Sequence, residues 1–167
     1  TISVIVPENA NEHDISLARN LVRELSDKYG IALKISTADS YTGKGRKVMM
    51  GTINNPLILK YCTDNNLILT EKKPGPEGYI LHVKNDIIVV AGWDNHGAFY
   101  GLQSLRQLLM KGNGKIVQGI EVTDWPNLPF RAIRLYVPGP DNIAFFKRFL
   151  RDFMALYKYN KVIVEVN

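Results

Sequence analysis

Residues 94–109 read Asp94-Asn95-His96-Gly97-Ala98-Phe99-Tyr100-Gly101-Leu102-Gln103-Ser104-Leu105-Arg106-Gln107-Leu108-Leu109, a stretch around which the rest of the chain is arranged. Asp94 and Asn95 supply helix-start chemistry. Phe99, Leu102, Leu105 and Leu109 then recur at intervals of three and four, which draws an apolar stripe down one side of a helix. Such a stripe needs a sheet to cover. Residues 78–83 and 87–92 are two strand-like runs around a tight Lys84-Asn85-Asp86 turn, the pattern of a β-hairpin. Hairpin and helix together form one packing unit.

Toward the amino terminus, residues 2–6 form an apolar, β-branched run ended by Pro7, as in a buried strand. A helix is expected from about 14 to 29, with Ile15, Leu17, Ala18, Leu21, Val22 and Leu25 on its apolar side and Gly30 ending it. Strands follow at 32–36 and 47–51. Asn55 and Pro56 read as the cap and first position of a helix running to about 65. Residues 67–70 are expected to be a short extended segment. Pro74, Gly75 and Pro76 make 72–78 a loop, and 116–122 is a further strand. The order βαββα, hairpin, αβ predicts an α+β domain whose mixed, partly antiparallel sheet is covered by helices on one face. No GxGxxG separates the first strand from its helix, which disfavours a nucleotide-binding fold. Gly43-Lys44-Gly45 offers backbone N–H groups to a phosphate, yet a strand and not a helix follows it, so it reads as a plain loop.

Thr123-Asp124-Trp125-Pro126-Asn127-Leu128-Pro129-Phe130 changes the rhythm of the chain and places a boundary, giving a domain at 1–122 and a second element at 123–167. The second element reads as a strand at 132–137, a turn at Pro138-Gly139-Pro140-Asp141-Asn142, a helix at 143–159 and a strand at 162–166. That is one parallel, right-handed βαβ unit. Ile143, Phe146, Phe149, Leu150, Phe153, Met154 and Tyr157 form a broad apolar helix face. One helix over two strands cannot close a barrel. The unit is therefore expected to be incomplete, and the chain to self-associate through helix 143–159.

Composition removes several function classes. A chain of 167 residues with 46% hydrophobic content can bury a real core. Its 21 basic and 16 acidic residues leave +5, but the basic residues are scattered and the densest cluster, Lys44, Arg46 and Lys47, is short. Nucleic acid is not an expected partner, and no apolar run approaches the roughly 20 residues of a membrane span. The sequence opens directly on a strand, as it would after removal of an export signal. The single cysteine, Cys62, lacks the spaced partners of a metal site and reads as a small core residue. His13, His82 and His96 are too dispersed for a metal, with His82 on the outward face of a strand. No metal and no cofactor is expected. Trp93 and Trp125 could stack on sugar, though a tryptophan beside a boundary proline is more often a packing residue. Asp86 and Glu121 read as turn and surface residues.

The order Glu77-Gly78-Tyr79-Ile80-Leu81-His82-Val83, then 87–92, then Gly97 to Leu109, resembles the non-catalytic domain that precedes the barrel in family 20 glycoside hydrolases, the β-N-acetylhexosaminidases. Asp124, Pro126, Phe130, Arg131, Met154, Ala155, Lys158 and Asn160 match that family's connector and the opening of its catalytic (β/α)₈ barrel. The resemblance implies a supporting domain for a barrel that hydrolyses O-glycosidic bonds of glycans, N-acetylhexosamine glycans in the family. There the 2-acetamido oxygen attacks the anomeric carbon, an Asp holds that group and the adjacent Glu is the acid. This pair lies near the end of the fourth barrel strand, so no catalytic residue is assigned here. The family's substrate-side Asp and Arg on the first strand correspond to Tyr136 and Gly139, and its second-strand histidine positions to Ile163 and Glu165. Arg134, Tyr136, Glu165 and Asn167 are the candidate substrate-binding residues. A secreted or periplasmic location is implied by the resemblance alone. Two further readings stay open: a carbohydrate-binding or interaction module using an open sheet face, and a small stand-alone enzyme.

Overall fold

In chain order the elements are β1 (Ile2–Val6), α1 (Glu12–Tyr29), β2 (Leu33–Thr37), β3 (Arg46–Thr52), α2 (Pro56–Asp64), β4 (Tyr79–Lys84), β5 (Ile87–Gly92), α3 (Asn95–Lys111) and β6 (Ile120–Asp124), followed by β7 (Ala132–Tyr136), α4 (Ile143–Phe149) and β8 (Lys161–Glu165). The computed structural model describes residues 2–40, 45–115 and 119–166. Gly43 and Lys44 of the glycine-containing loop, and the first three residues of the strand expected at 116–122, lie outside them. Within the described residues that last strand runs from Ile120 to Asp124. The extended segment expected at 67–70 is reduced to an isolated bridge between Thr70 and Pro74.

The chain divides into two compact units, Thr1–Trp125 and Pro126–Asn167. In the first, six strands form one sheet in the order β2-β1-β3-β5-β4-β6. Strands β2, β1, β3 and β5 are mutually parallel, whereas β4 runs antiparallel to both β5 and β6. The hairpin turn is Asn85-Asp86, and Asn85 takes φ 50°, a left-handed conformation that asparagine tolerates better than most residues. The unit is α+β, with a mixed, partly antiparallel sheet.

The helices do not all lie on one face, contrary to the sequence expectation. Leu17, Leu21 and Leu25 of α1 and Leu102, Leu105 and Leu109 of α3 share a core with Val4, Val48, Met50, Leu81 and Val90. Ile58 and Cys62 of α2 pack with Ile5, Met49, Ile80, Val89 and Ala91 on the opposite face. Alternation along the strands explains this: Val48 and Met50 point one way and Met49 the other. The parallel strands are apolar on both sides and need cover on both. Helices α1 and α2 therefore leave the carboxyl ends of β1 and β3 toward opposite faces.

Each helix starts on a side chain that satisfies an unpaired backbone donor. Asn11 caps α1 by accepting from the Asp14 N–H at 2.9 Å, and Asn55 caps α2 by accepting from Leu57 at 3.0 Å. Asp94 caps α3 through Gly97 at 2.7 Å, and its other oxygen accepts from the Glu77 N–H at 2.9 Å. A cap of this kind contributes about 1 kcal/mol. Asp94 also ties α3 to the loop before β4, so the hairpin and the helix are joined by bonding as well as burial. Gly97 and Gly101 let α3 sit close: a Cβ on Gly97 would lie 2.1 Å from the Gly78 carbonyl oxygen, and one on Gly101 2.4 Å from Val90 Cγ1.

In the second unit β7 and β8 pair in parallel, connected through α4. The expected continuous helix to Tyr159 is not regular. A short 3₁₀ turn, Pro140–Asn142, precedes α4, and a π-helical segment, Leu150–Met154, follows it. The Ala155 N–H bonds the Leu150 carbonyl at 2.8 Å, five residues back. One extra residue in a turn rotates everything beyond it by about 100°. Of the expected apolar face, Met154 is buried, whereas Ile143, Phe153 and Tyr157 are exposed; Leu156, outside that face, is buried as well.

Candidate functional site

Three of the four predicted site residues lie toward the carboxyl ends of the parallel pair β7 and β8. Arg134 sits opposite Ile163 and Tyr136 opposite Glu165 in the ladder, so all four share one face of the pair. Arg134 Nη2 donates to Glu165 Oε1 in an ion pair. Tyr136 is 61% exposed and stands beside that pair at the strand end. Asn167 lies outside the described residues. The arrangement offers an oriented carboxylate, a guanidinium and an aromatic ring within one short strand end.

The residues that carry the resemblance hold this end of the chain in place. Arg131 Nε donates to the Lys158 carbonyl at 2.8 Å and Nη1 to the Leu128 carbonyl at 2.7 Å. Asn160 accepts from the Arg131 N–H at 2.9 Å and donates to the Pro129 carbonyl at 2.8 Å. Lys158, at φ 61°, turns the chain out of the helical segment, and Met154 is buried. In the first unit, the Tyr79 hydroxyl donates to Asp124 at 2.8 Å and lies 2.5 Å from Ser104 Oγ, which links α3 to the last strand. These are positioning contacts.

The remaining candidates stay apart. Among the described residues no group of three His, Cys, Asp or Glu is placed to hold a metal. His96 is exposed in the first turn of α3. His82 is partly covered rather than fully outward, because α2 brings the Tyr61 hydroxyl to its Nδ1 at 3.0 Å. Burial, with smaller contributions from Cys62 and Glu121, raises the Tyr61 phenol above its usual range. Cys62 is buried in α2, where desolvation pushes its thiol up to about 11. Trp93 packs against the α2 core, and Trp125 is half exposed.

Two polar clusters were not visible in the sequence. Arg106 of α3 pairs with Glu24 of α1 at 3.1 Å, with both side chains at least nine-tenths buried. Gln103 Oε1 accepts from the same guanidinium at 2.6 Å. Asp14 is only 3% exposed, beside Asn55 and Thr52 at the carboxyl edge of the parallel strands. Helical spacing alone would put Asp14 at the wet first turn of α1. The proximity of Gly51 and α2 that buries it is a tertiary fact.

The family model described as glycosyl hydrolase family 20, domain 2, matches residues 1–125. A β-hexosaminidase of Vibrio vulnificus is 39% identical over 95 residues, covering 55% of this chain and 10% of the relative. A β-hexosaminidase of Porphyromonas gingivalis is 32% identical over 94 residues, covering 51% of this chain and 12% of the relative. The chain thus matches about a tenth of the length of these relatives. Among solved structures, CpGH84D superposes with a TM-score of 0.70 at 21% identity, covering 99% of this chain and 27% of that one. A GH138 enzyme targeting pectin rhamnogalacturonan II gives a TM-score of 0.63 at 18% identity over 98% of this chain and 19% of its own. At these identities the likeness is one of fold.

Proposed function

The chain belongs to glycosyl hydrolase family 20 through that family's domain 2, and on this premise we propose that it is the non-catalytic supporting domain of a larger glycoside hydrolase, together with the opening βαβ unit of the barrel that performs hydrolysis. The observation that carries this reading is the parallel pair β7 and β8, which follows the matched domain directly and gathers Arg134, Tyr136 and Glu165 toward its carboxyl end. In (β/α)₈ enzymes the active site is built at that end of the strands. Arg134, Tyr136 and Glu165 are then part of one wall of the substrate pocket. The wall orients a sugar; acid catalysis and stabilisation of the attacking group come from carboxylates elsewhere in the barrel.

The matched relatives are β-hexosaminidases, which favours an O-glycosidic bond in a hexosamine glycan as the target. Tyr136, Gly139, Ile163 and Glu165 stand where the family resemblance expects other groups, so the subsite is shaped for a different set of sugar hydroxyls. The test assays the full-length protein and the 167-residue chain side by side on aryl N-acetylglucosaminide, N-acetylgalactosaminide and plain hexosides. Turnover by the full-length protein and none by the chain is the expected result. Turnover by the chain alone would overturn the supporting-domain reading. A full-length protein that binds sugars without hydrolysing any aryl glycoside would reassign it as a binding module.

A further inference from the structure

We propose that the crevice at the carboxyl ends of β1 and β3 binds an uncharged, polyhydroxylated molecule of monosaccharide size. In sheets with parallel strands, ligands are received outside the carboxyl ends at the point where successive connections leave toward opposite faces. This sheet has such a point between β1 and β3, because α1 covers one face and α2 the other. A cavity of about 390 Å³ opens there, and its polar lining includes Glu8, Asn9, Asn11, Asp14, Thr52 and Asn55, with Asn54 at its rim. That volume falls within the range of small-molecule sites.

The side chains define the ligand. Asp14 lines the cavity and is 3% exposed, yet its Oδ1 has no hydrogen-bond partner among the described residues. Its Oδ2 reaches the Asn55 amide only at 3.5 Å. Apart from the backbone bond from Asn11 and this long contact, no donor among the described residues reaches the carboxyl, and a buried carboxyl with one oxygen unmet is costly unless a further donor is brought to it. Gly51 preserves this corner, since a Cβ there would fall 2.9 Å from both the Asp14 carboxyl and the Asn55 amide. The amino termini of α1 and α2 both open onto the cavity, a feature that alone would suit an anion. Two carboxylates, Glu8 and Asp14, oppose that, and no lysine or arginine lines the cavity among the described residues. A metal is not matched either among those residues. Hydroxyl groups, which donate to carboxylates and accept from amides, complement the whole set.

This inference concerns residues of the first unit and does not depend on the hydrolase reading. The 167-residue chain, labelled with ¹⁵N, is titrated with glucose, galactose and N-acetylglucosamine to about 50 mM, and separately with inorganic phosphate. The expected result is a set of amide shifts confined to residues 7–14 and 52–57, with at least one sugar in the millimolar range and none with phosphate. Asp14→Asn should weaken binding about tenfold, the value of one hydrogen bond to a charged group. Should that variant misfold, Asn54→Trp decides, because position 54 is an exposed rim site whose ring would plug the cavity. No shifts with any sugar, shifts centred elsewhere, equal shifts with phosphate, or undiminished binding by folded Asn54→Trp would each overturn the proposal.

Discussion

Asp14 and Glu24 sit on the same helix, α1, and respond to burial in opposite ways. Desolvation raises the Asp14 carboxyl above its ordinary 3.8, and the charge of His13 and the bonds from Asn11 and Asn55 do not cancel it. Desolvation also acts on Glu24, but there the hydrogen bonds and charges of Lys28 and Arg106 outweigh it and the carboxyl is lowered. The linkage signs follow. Between the unfolded and folded values, folded Asp14 holds a proton that the unfolded chain gives up, so its contribution is full below the unfolded value and is lost as pH rises through the folded one. Glu24 contributes above its unfolded value and loses that as pH falls through the folded one. Asp14→Asn should therefore gain on the wild type in urea midpoint as pH rises from about 4 to 7; a gap that stays constant would contradict the burial argument. A second expectation concerns Cys62, whose thiol at about 11 is almost wholly protonated near neutrality and is shielded in the α2 core. An aromatic disulfide reagent should label it at the rate of unfolding and at once in urea; prompt labelling of the native chain would show that α2 opens locally. The sequence made Cys62 legible, because an apolar helix context suffices. It hid Asp14, whose burial depends on Gly51 and α2, far along the chain.

At the level of elements, the hairpin, the three long helices and the caps of α2 and α3 were legible because each rests on local signals: alternation, a three-and-four spacing, and Asn or Asp before the first turn; the Asn11 cap of α1 was not read, and that helix starts at Glu12 rather than about 14. The side of the sheet taken by α2 was less so, since a short apolar strand fits cover on either face. The π-helical segment left no local signature, and the burial of Leu156 beside the expected Met154 was not legible either. The glycine seam of α3 was written in the sequence as Gly97 and Gly101, four apart on one face, but only the structure shows what it meets. This gives a test of sign. Glycine to alanine inside a helix ordinarily gains about 1 kcal/mol. At Gly97 the new Cβ would meet a backbone oxygen of Gly78 at 2.1 Å, and neither the helix nor the loop before β4 can yield cheaply. Gly97→Ala should instead lose about 2 kcal/mol in urea unfolding, as overpacked cores do. Gly101→Ala should lose less, because the new Cβ meets side-chain atoms of Val90 and Tyr79 and not backbone. Stabilisation by Gly97→Ala would show that α3 rides higher on the hairpin than described.

For the whole molecule, the two units differ in how well each satisfies itself. Thr1–Trp125 buries apolar side chains on both faces of its sheet, whereas Pro126–Asn167 leaves Phe145, Phe153, Tyr157, Ile163, Val164 and Val166 between 39% and 82% exposed. Two strands and one helical segment cannot cover each other's apolar sides, and exposed apolar patches beyond a few hundred Å² tend to find partners. We therefore expect the 167-residue chain to associate in a concentration-dependent way through the segment 143–159, and residues 1–125 alone to remain a monomer that unfolds in one cooperative step. Sedimentation velocity and light scattering on the two proteins at matched concentrations separate the outcomes. Replacing the exposed Phe145 and Tyr157 by Glu and Lys should return the longer chain to a monomer without moving the unfolding midpoint of its first unit. A longer chain that stays monomeric at high concentration would mean that its apolar side chains find cover within the chain. Association of residues 1–125 by themselves would move the adhesive surface to the first unit, where Leu59 and Ile68 are the most exposed aliphatic side chains among the described residues.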